Sequence, residues 1–170
     1  MGWKKPREGP AVGTIGDRET QEKRAFASSV RSLARRPRTA AEIETFLLRR
    51  EYSSEVIEFT INRLREQGYL DEAAVADVIV REAERRNLGS RRVAQKMSTR
   101  GVPRDVAAPA VEESGEGDLQ RARALLERRY PDGVDGDLKV REKAVRLLVR
   151  RGFPYGIARQ AIGMDIDIDG

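Results

Sequence analysis

A short turn recurs three times along the chain, as Arg50-Glu51-Tyr52-Ser53-Ser54-Glu55-Val56, Arg100-Gly101-Val102-Pro103-Arg104-Asp105-Val106 and Arg151-Gly152-Phe153-Pro154-Tyr155-Gly156-Ile157, at spacings of 50 and 51 residues. Each copy closes an amphipathic stretch on an arginine, passes a large apolar residue and opens a second amphipathic stretch on a β-branched residue. That order of signals marks a helix-turn-helix junction. The register extends on both sides: Ile43, Val93 and Ala144 align, as do Leu47, Met97 and Leu148, and then Ile61, Val111 and Ile162. A fixed period in this range indicates stacked supersecondary units. In helical arrays of this period one unit buries its apolar face against the next. The chain therefore reads as all-α: three tandem three-helix repeats forming an elongated, curved helical array.

Composition agrees with helices and removes most chemistry. Apolar residues make up 39% of the 170 residues but aromatics only 5%, so Leu, Ile, Val and Ala must build the core. That suits helix packing better than a sheet sandwich. With no Cys and no His, disulfides, zinc sites, thiol nucleophiles and imidazole acid/base catalysis are excluded. No apolar run approaches the roughly 20 residues that span a bilayer, and no apolar core follows the N-terminal lysines. A soluble, cytoplasmic protein without cofactor is expected.

Residues 1–20 carry Gly2, Pro6, Gly9, Pro10, Gly13 and Gly16 among charges and read as a disordered arm that includes Trp3. Repeat one covers 21–70, its first helix starting near Gln21 and stopping at Arg36-Pro37. Thr39-Ala40-Ala41-Glu42 is a capping box opening the second helix. Its third helix carries Val56, Ile57, Ile61 and Leu64 and ends at Gly68. Repeat two, 71–116, opens on Asp71 as N-cap and continues to Asn87, with a second helix from Ser90 to Arg100 and Gly101 as its cap. Pro109 should bend the third helix or delay its start. The acidic, Gly-rich stretch from Glu112 to Asp118 reads as a linker. Repeat three, 117–163, contains a loop insertion from Pro131 to Gly136 and ends in a short helix from Tyr155 to about Gly163. The acidic tail, 164–170, should fray. Glu51 stands where the other turns have Gly101 and Gly152, so the first turn must cap differently or accept a strained residue.

The 33 basic residues exceed the 28 acids and are clustered. From Arg81 to Arg104 there are eight basic side chains against two acids, and from Leu138 to Arg151 six against one. Arg92, Lys96 and Arg100 fall at i, i+4 and i+8 in one helical stripe. Lys96 replaces Phe46 of repeat one and Leu147 of repeat three, which points to an exposed working face, because burying an unpaired ammonium costs several kcal/mol. The contact candidates are Arg85, Arg86, Arg91, Arg92, Lys96 and Arg100, with Arg150 and Arg151. Solvated helix faces and helix-dipole complementation are the alternative reading of such arginines, for Arg100, Arg150 and Arg151 above all.

These stretches together resemble the bacterial RecX family of recombination regulators. The resemblance rests on Leu33-Ala34-Arg35-Arg36, Ala41-Glu42-Ile43, Ile61 to Asp71, Gly89-Ser90-Arg91-Arg92-Val93 and Arg150-Arg151-Gly152-Phe153, and covers residues 23–163. It implies three tandem three-helix repeats, binding in the groove of the RecA filament on single-stranded DNA, and suppression of RecA ATPase, strand exchange and coprotease activities. It implies a modulator rather than an enzyme.

Other readings stay open at the level of sequence. Residues 39–70 alone would suit a winged-helix transcriptional regulator, but a wing needs a β-hairpin where Asp71 to Arg86 has helical spacing. Weak nonspecific binding of single-stranded or duplex DNA fits the basic patches, although aromatic stacking platforms are few. Asp165, Asp167 and Asp169 could form only a loose metal site. A monomer is expected, since the repeats can bury one another's apolar faces.

Overall fold

The structure, a computed structural model, describes residues 15–134 and 137–163. The acidic tail and its aspartates, Trp3 and the start of the arm lie outside them, as do residues 135 and 136 of the insertion. The chain divides between Leu70 and Asp71 into two compact units. Among the described residues every regular element is a helix.

The first unit is built of α1 (Ile15–Leu33), α2 (Ala40–Leu48) and α3 (Ser54–Glu66). Residues 15–20, expected in the arm, belong to α1, whose start is stabilised by an Arg18–Glu22 pair at 2.9 Å and, one residue on, Glu19–Lys23 at 2.7 Å. The capping box is formed: Thr39 Oγ1 accepts from the Glu42 N–H and the Glu42 carboxylate accepts from the Thr39 N–H, both at 3.1 Å. Ala25, Ile43, Leu47, Val56, Ile57 and Leu64 form the buried core of this unit.

The second unit contains two repeats. In α4 (Glu72–Arg85), α5 (Ser90–Arg100) and α6 (Arg104–Glu116), the core is Val75, Ala76, Ile79, Ala83, Leu88, Val93, Met97 and Val102. In α7 (Asp118–Arg129), α8 (Leu138–Arg150) and α9 (Tyr155–Ala161), it is Ala122, Leu125, Leu126, Ala144, Leu148, Phe153, Ala158 and Ile162. Each repeat thus holds its own apolar cluster, contrary to the expectation that one repeat buries its face on the next. Asp71 caps α4 by accepting the Ala74 N–H at 2.8 Å. Because α4 occupies the place of a wing, the winged-helix reading has no hairpin to rest on.

Two local expectations are corrected. The stretch from Glu112 to Asp118 is not a linker, since α6 runs through Glu116 and α7 begins at Asp118 after Gly117 alone. Pro109 does not delay α6, which starts at Arg104 directly after Pro103. Pro109 and Asp105 are both exposed, so water can satisfy the carbonyl that the missing proline N–H leaves free.

The thrice-repeated turn is one backbone device. Tyr52, Val102 and Phe153 donate their N–H groups to the carbonyls of Leu47, Met97 and Leu148 at 3.4, 3.0 and 3.1 Å. The residue before each donor is left-handed: Glu51 at φ 61°, Gly101 at 69° and Gly152 at 91°. This is the Schellman closure of a helix C-terminus, and the apolar residue that follows it tucks under the helix it has just left. Glu51 therefore accepts the strained conformation rather than capping in another way, at about 1–2 kcal/mol.

Candidate basic interface

The N-terminus of α5 is the point at which repeats two and three meet. Gly89 donates its N–H to the Arg151 carbonyl and Arg91 donates to the Gly152 carbonyl, each at 3.1 Å. The approach is so close that a Cβ on Gly89 would lie 2.4 Å from the Gly152 carbonyl and the Phe153 nitrogen. A Cβ on Gly152 would in turn lie 2.6 Å from the Arg92 Cβ. Only glycine fits at both places.

Between those two backbone bonds, Ser90 is held by a carboxylate. Asp118 Oδ1 accepts the Ser90 N–H at 3.0 Å, and Oδ2 accepts the Ser90 hydroxyl at 2.6 Å. The Asp118 side chain is 1% exposed, and its charge is met by Arg121 Nη2 at 2.7 Å. Arg121 also donates to the Ser114 carbonyl at the end of α6. The joint between repeats two and three therefore includes a buried, hydrogen-bonded ion pair. This pattern was missed in the sequence because Asp118 looked like one more acid in a linker.

The joint gathers some of the basic candidates and leaves others apart. Arg151 Nη1 donates to the Arg86 carbonyl at 3.1 Å, so the two basic clusters of the sequence converge here. Arg91 and Arg92 sit in the first turn of α5 beside it. Arg86 pairs with Glu82 at 3.0 Å, and Arg92 donates to Gln95 Oε1 at 2.6 Å. Arg85 and Arg91 are exposed and have no ion pair among the described residues. Arg100, in the last turn of α5, is half-buried and lies away from the joint. Arg150 belongs to a different place, a pocket of repeat three.

Lys96 corrects the sequence reading. Its ammonium lies 3.0 Å from the Glu82 carboxylate and its side chain is 30% exposed, so the charge links α5 to α4 rather than facing solvent unpaired. The Lys96 and Arg86 hydrogen bonds hold the Glu82 carboxyl below the usual carboxylate range. A lysine at an otherwise apolar repeat position is explained by this partner, fourteen residues away in sequence.

No group of His, Cys, Asp and Glu among the described residues could hold a metal ion. No described helix is long and apolar enough to cross a membrane.

Comparison with known proteins extends the resemblance. Residues 25–64 match the RecX first three-helix domain, and residues 116–162 match the RecX third three-helix domain. The regulatory protein RecX of Halorhodospira halophila is 35% identical over 134 residues, covering 79% of this chain and 83% of the relative. That of Thermobifida fusca is 33% identical over 168 residues, covering 96% and 90%. The crystal structure of RecX from Lactobacillus salivarius shares the fold with a TM-score of 0.75 at 20% identity, covering 85% of this chain and 96% of that one. With this identity along nearly its whole length, and with both of those domains in their places, the chain belongs to the RecX family.

Proposed function

We propose that this chain binds the RecA filament on single-stranded DNA and modulates it, chiefly by inhibiting RecA ATPase, strand exchange and coprotease activities in recombination and the SOS response. It acts in the cytoplasm as a monomeric regulator, not as an enzyme, and its direct DNA binding is weak and nonspecific. Family membership supports the reading. The structural observation that carries it is the joint at which Arg86, Arg91, Arg92 and Arg151 converge from two repeats. Such a surface presents guanidinium groups from a rigid base to acidic side chains or phosphates, with no loop to order on binding.

The test is RecA's DNA-dependent ATPase on single-stranded DNA, with the full chain titrated in and plain DNA binding measured at matched salt. Inhibition well below one protein per RecA, beside weak and salt-sensitive DNA binding, is the expected result. No inhibition beside tight, duplex-selective binding would overturn the proposal.

A further inference from the structure

Helices α5 and α8 present equivalent faces, and their basic side chains find partners within the fold to different extents. On α5 that face carries Arg92, Gln95, Lys96 and Thr99. Arg92 donates to Gln95 at 2.6 Å, Thr99 donates to the Gln95 carbonyl at 2.8 Å, and Lys96 pairs with Glu82 at 3.0 Å. The positions 51 residues further on are Lys143, Arg146, Leu147 and Arg150. With Arg129 and Tyr130 from the end of α7, they line a pocket of about 240 Å³.

That lining holds four cations and no carboxylate. Glu142 reaches Arg146 only at 3.9 Å and is itself 58% exposed. Arg129 lies over the Tyr130 ring at 5.7 Å. Lys143 and Arg150 have no ion pair among the described residues. Like charges gathered around one concavity repel one another, and among the described residues only Glu142, in that long exposed pair, offsets any of them, which leaves the lining short of counter-charge. An anion would supply it.

The donor set narrows the ligand. Three guanidinium groups and an ammonium are suited to phosphate oxygens, the former in bidentate fashion. Tyr130 and Leu147 add an aromatic and an apolar surface, which a simple inorganic anion would leave unused and a base would cover. The volume lies below the roughly 300–1,000 Å³ of pockets for drug-sized ligands, so it admits one nucleotide unit in part. We propose that the pocket of repeat three binds a nucleotide phosphate, with the base against Tyr130, whether the nucleotide is free or is one residue of a single-stranded nucleic acid.

The experiment uses the full chain without RecA, so that its outcome is independent of the recombinase reading. Binding of ATP, of inorganic tripolyphosphate and of a short oligothymidylate is measured by calorimetry at one salt concentration. Lys143→Ala/Arg146→Ala is expected to weaken nucleotide binding at least tenfold, and Tyr130→Leu, which keeps an apolar group in place, severalfold. Arg65→Ala, which removes an exposed guanidinium from α3 in the first unit, should leave binding unchanged. Arg150→Gln provides a milder second variant with the same expected direction, and circular dichroism checks that each variant is folded. Binding of ATP as well as the oligonucleotide assigns the site to free nucleotides; binding of the oligonucleotide alone assigns it to a strand. Absence of binding to both overturns the proposal, as does equal weakening in Arg65→Ala or tripolyphosphate bound as tightly as ATP and the oligonucleotide.

Discussion

Asp118 closes the N-terminus of a helix that it does not belong to. Its carboxylate accepts both the backbone N–H and the hydroxyl of Ser90, 28 residues earlier in the chain, at 3.0 and 2.6 Å. A helix start is usually capped by its own preceding side chain. Here that position is Gly89, which has no side chain and is pressed against Gly152, so the cap comes from the next repeat. Capping and joining the repeats become one interaction.

Removing the carboxylate should therefore cost more than an ordinary cap. Asp118→Ala leaves the Ser90 N–H without its acceptor and the Arg121 guanidinium without its counter-ion, and we expect a loss of about 3–5 kcal/mol. Asp118→Asn keeps an acceptor without the charge and should fall between the two. Urea unfolding followed by circular dichroism measures both, and an Ala variant within 1 kcal/mol of the parent, about the cost of a common cap, would contradict the role assigned.

Two glycines in the same unit should respond oppositely to one methyl group. Gly89→Ala would place a Cβ 2.4 Å from backbone atoms of Gly152 and Phe153, which cannot swing away as a side chain could. Overpacking of this kind costs about 1–3 kcal/mol, and the backbone contact puts Gly89 at the upper end. In α6, a Cβ on Gly115 meets only Ser90 atoms, 3.8 Å away. Gly115→Ala should stabilise the unit by about 0.5–1 kcal/mol. Thermal unfolding of the two variants gives the comparison.

The first unit offers the reverse case. Glu51 sits at φ 61° in the turn where the other repeats use glycine, and it is exposed. Glu51→Gly should raise stability by about 1 kcal/mol, the left-handed strain being relieved at some entropic cost. A loss on denaturant unfolding would show that the Glu51 side chain contributes more than its backbone costs.

Glu82 gives the second unit a dependence on pH. Its folded carboxyl titrates below the ordinary carboxylate range because Lys96 and Arg86 favour the anion. A depressed folded pKa contributes stability that is fully present above the unfolded pKa, near 4.3, and is lost as the pH falls through the folded one. Glu82→Gln should thus cost up to about 1 kcal/mol at pH 7, since the pair is partly solvated. The gap to the parent should close as the pH drops below about 4.3. Unfolding curves of both proteins at several pH values test the sign, and a gap that widens in acid would refute it.

For binding, Lys96→Glu would also break the Glu82 pair, so Arg85 and Arg91 are the cleaner positions. Both are exposed and have no ion pair among the described residues. Arg85→Glu/Arg91→Glu should weaken inhibition of RecA ATPase about tenfold or more, as the loss of two charge-assisted contacts implies, with helicity unchanged. Unaltered inhibition would remove this end of α5 from the interface.

The sequence by itself determined the repeat and the three turns, leaving open only how Glu51 closes the first of them. These features are local: a Schellman bond joins residues five apart, and the Thr39–Glu42 box joins residues three apart, so their signals lie within one window of the chain. Apolar periodicity likewise places Ile43, Val93 and Ala144 inward without knowledge of a partner.

Tertiary structure decided which charges are already in use. Lys96 looked available until α4 set Glu82 beside it, and Asp118 looked like linker until the third repeat brought it to Ser90. The converse holds for Lys143 and Arg146, whose place around one pocket depends on where α7 delivers Arg129 and Tyr130. The need for glycine at position 89 is equally invisible in its own segment, because the atoms that forbid a Cβ belong to a turn more than sixty residues away. Helix geometry follows from neighbours in the chain, whereas the partner of a charge and the room for a side chain depend on elements that only packing brings together.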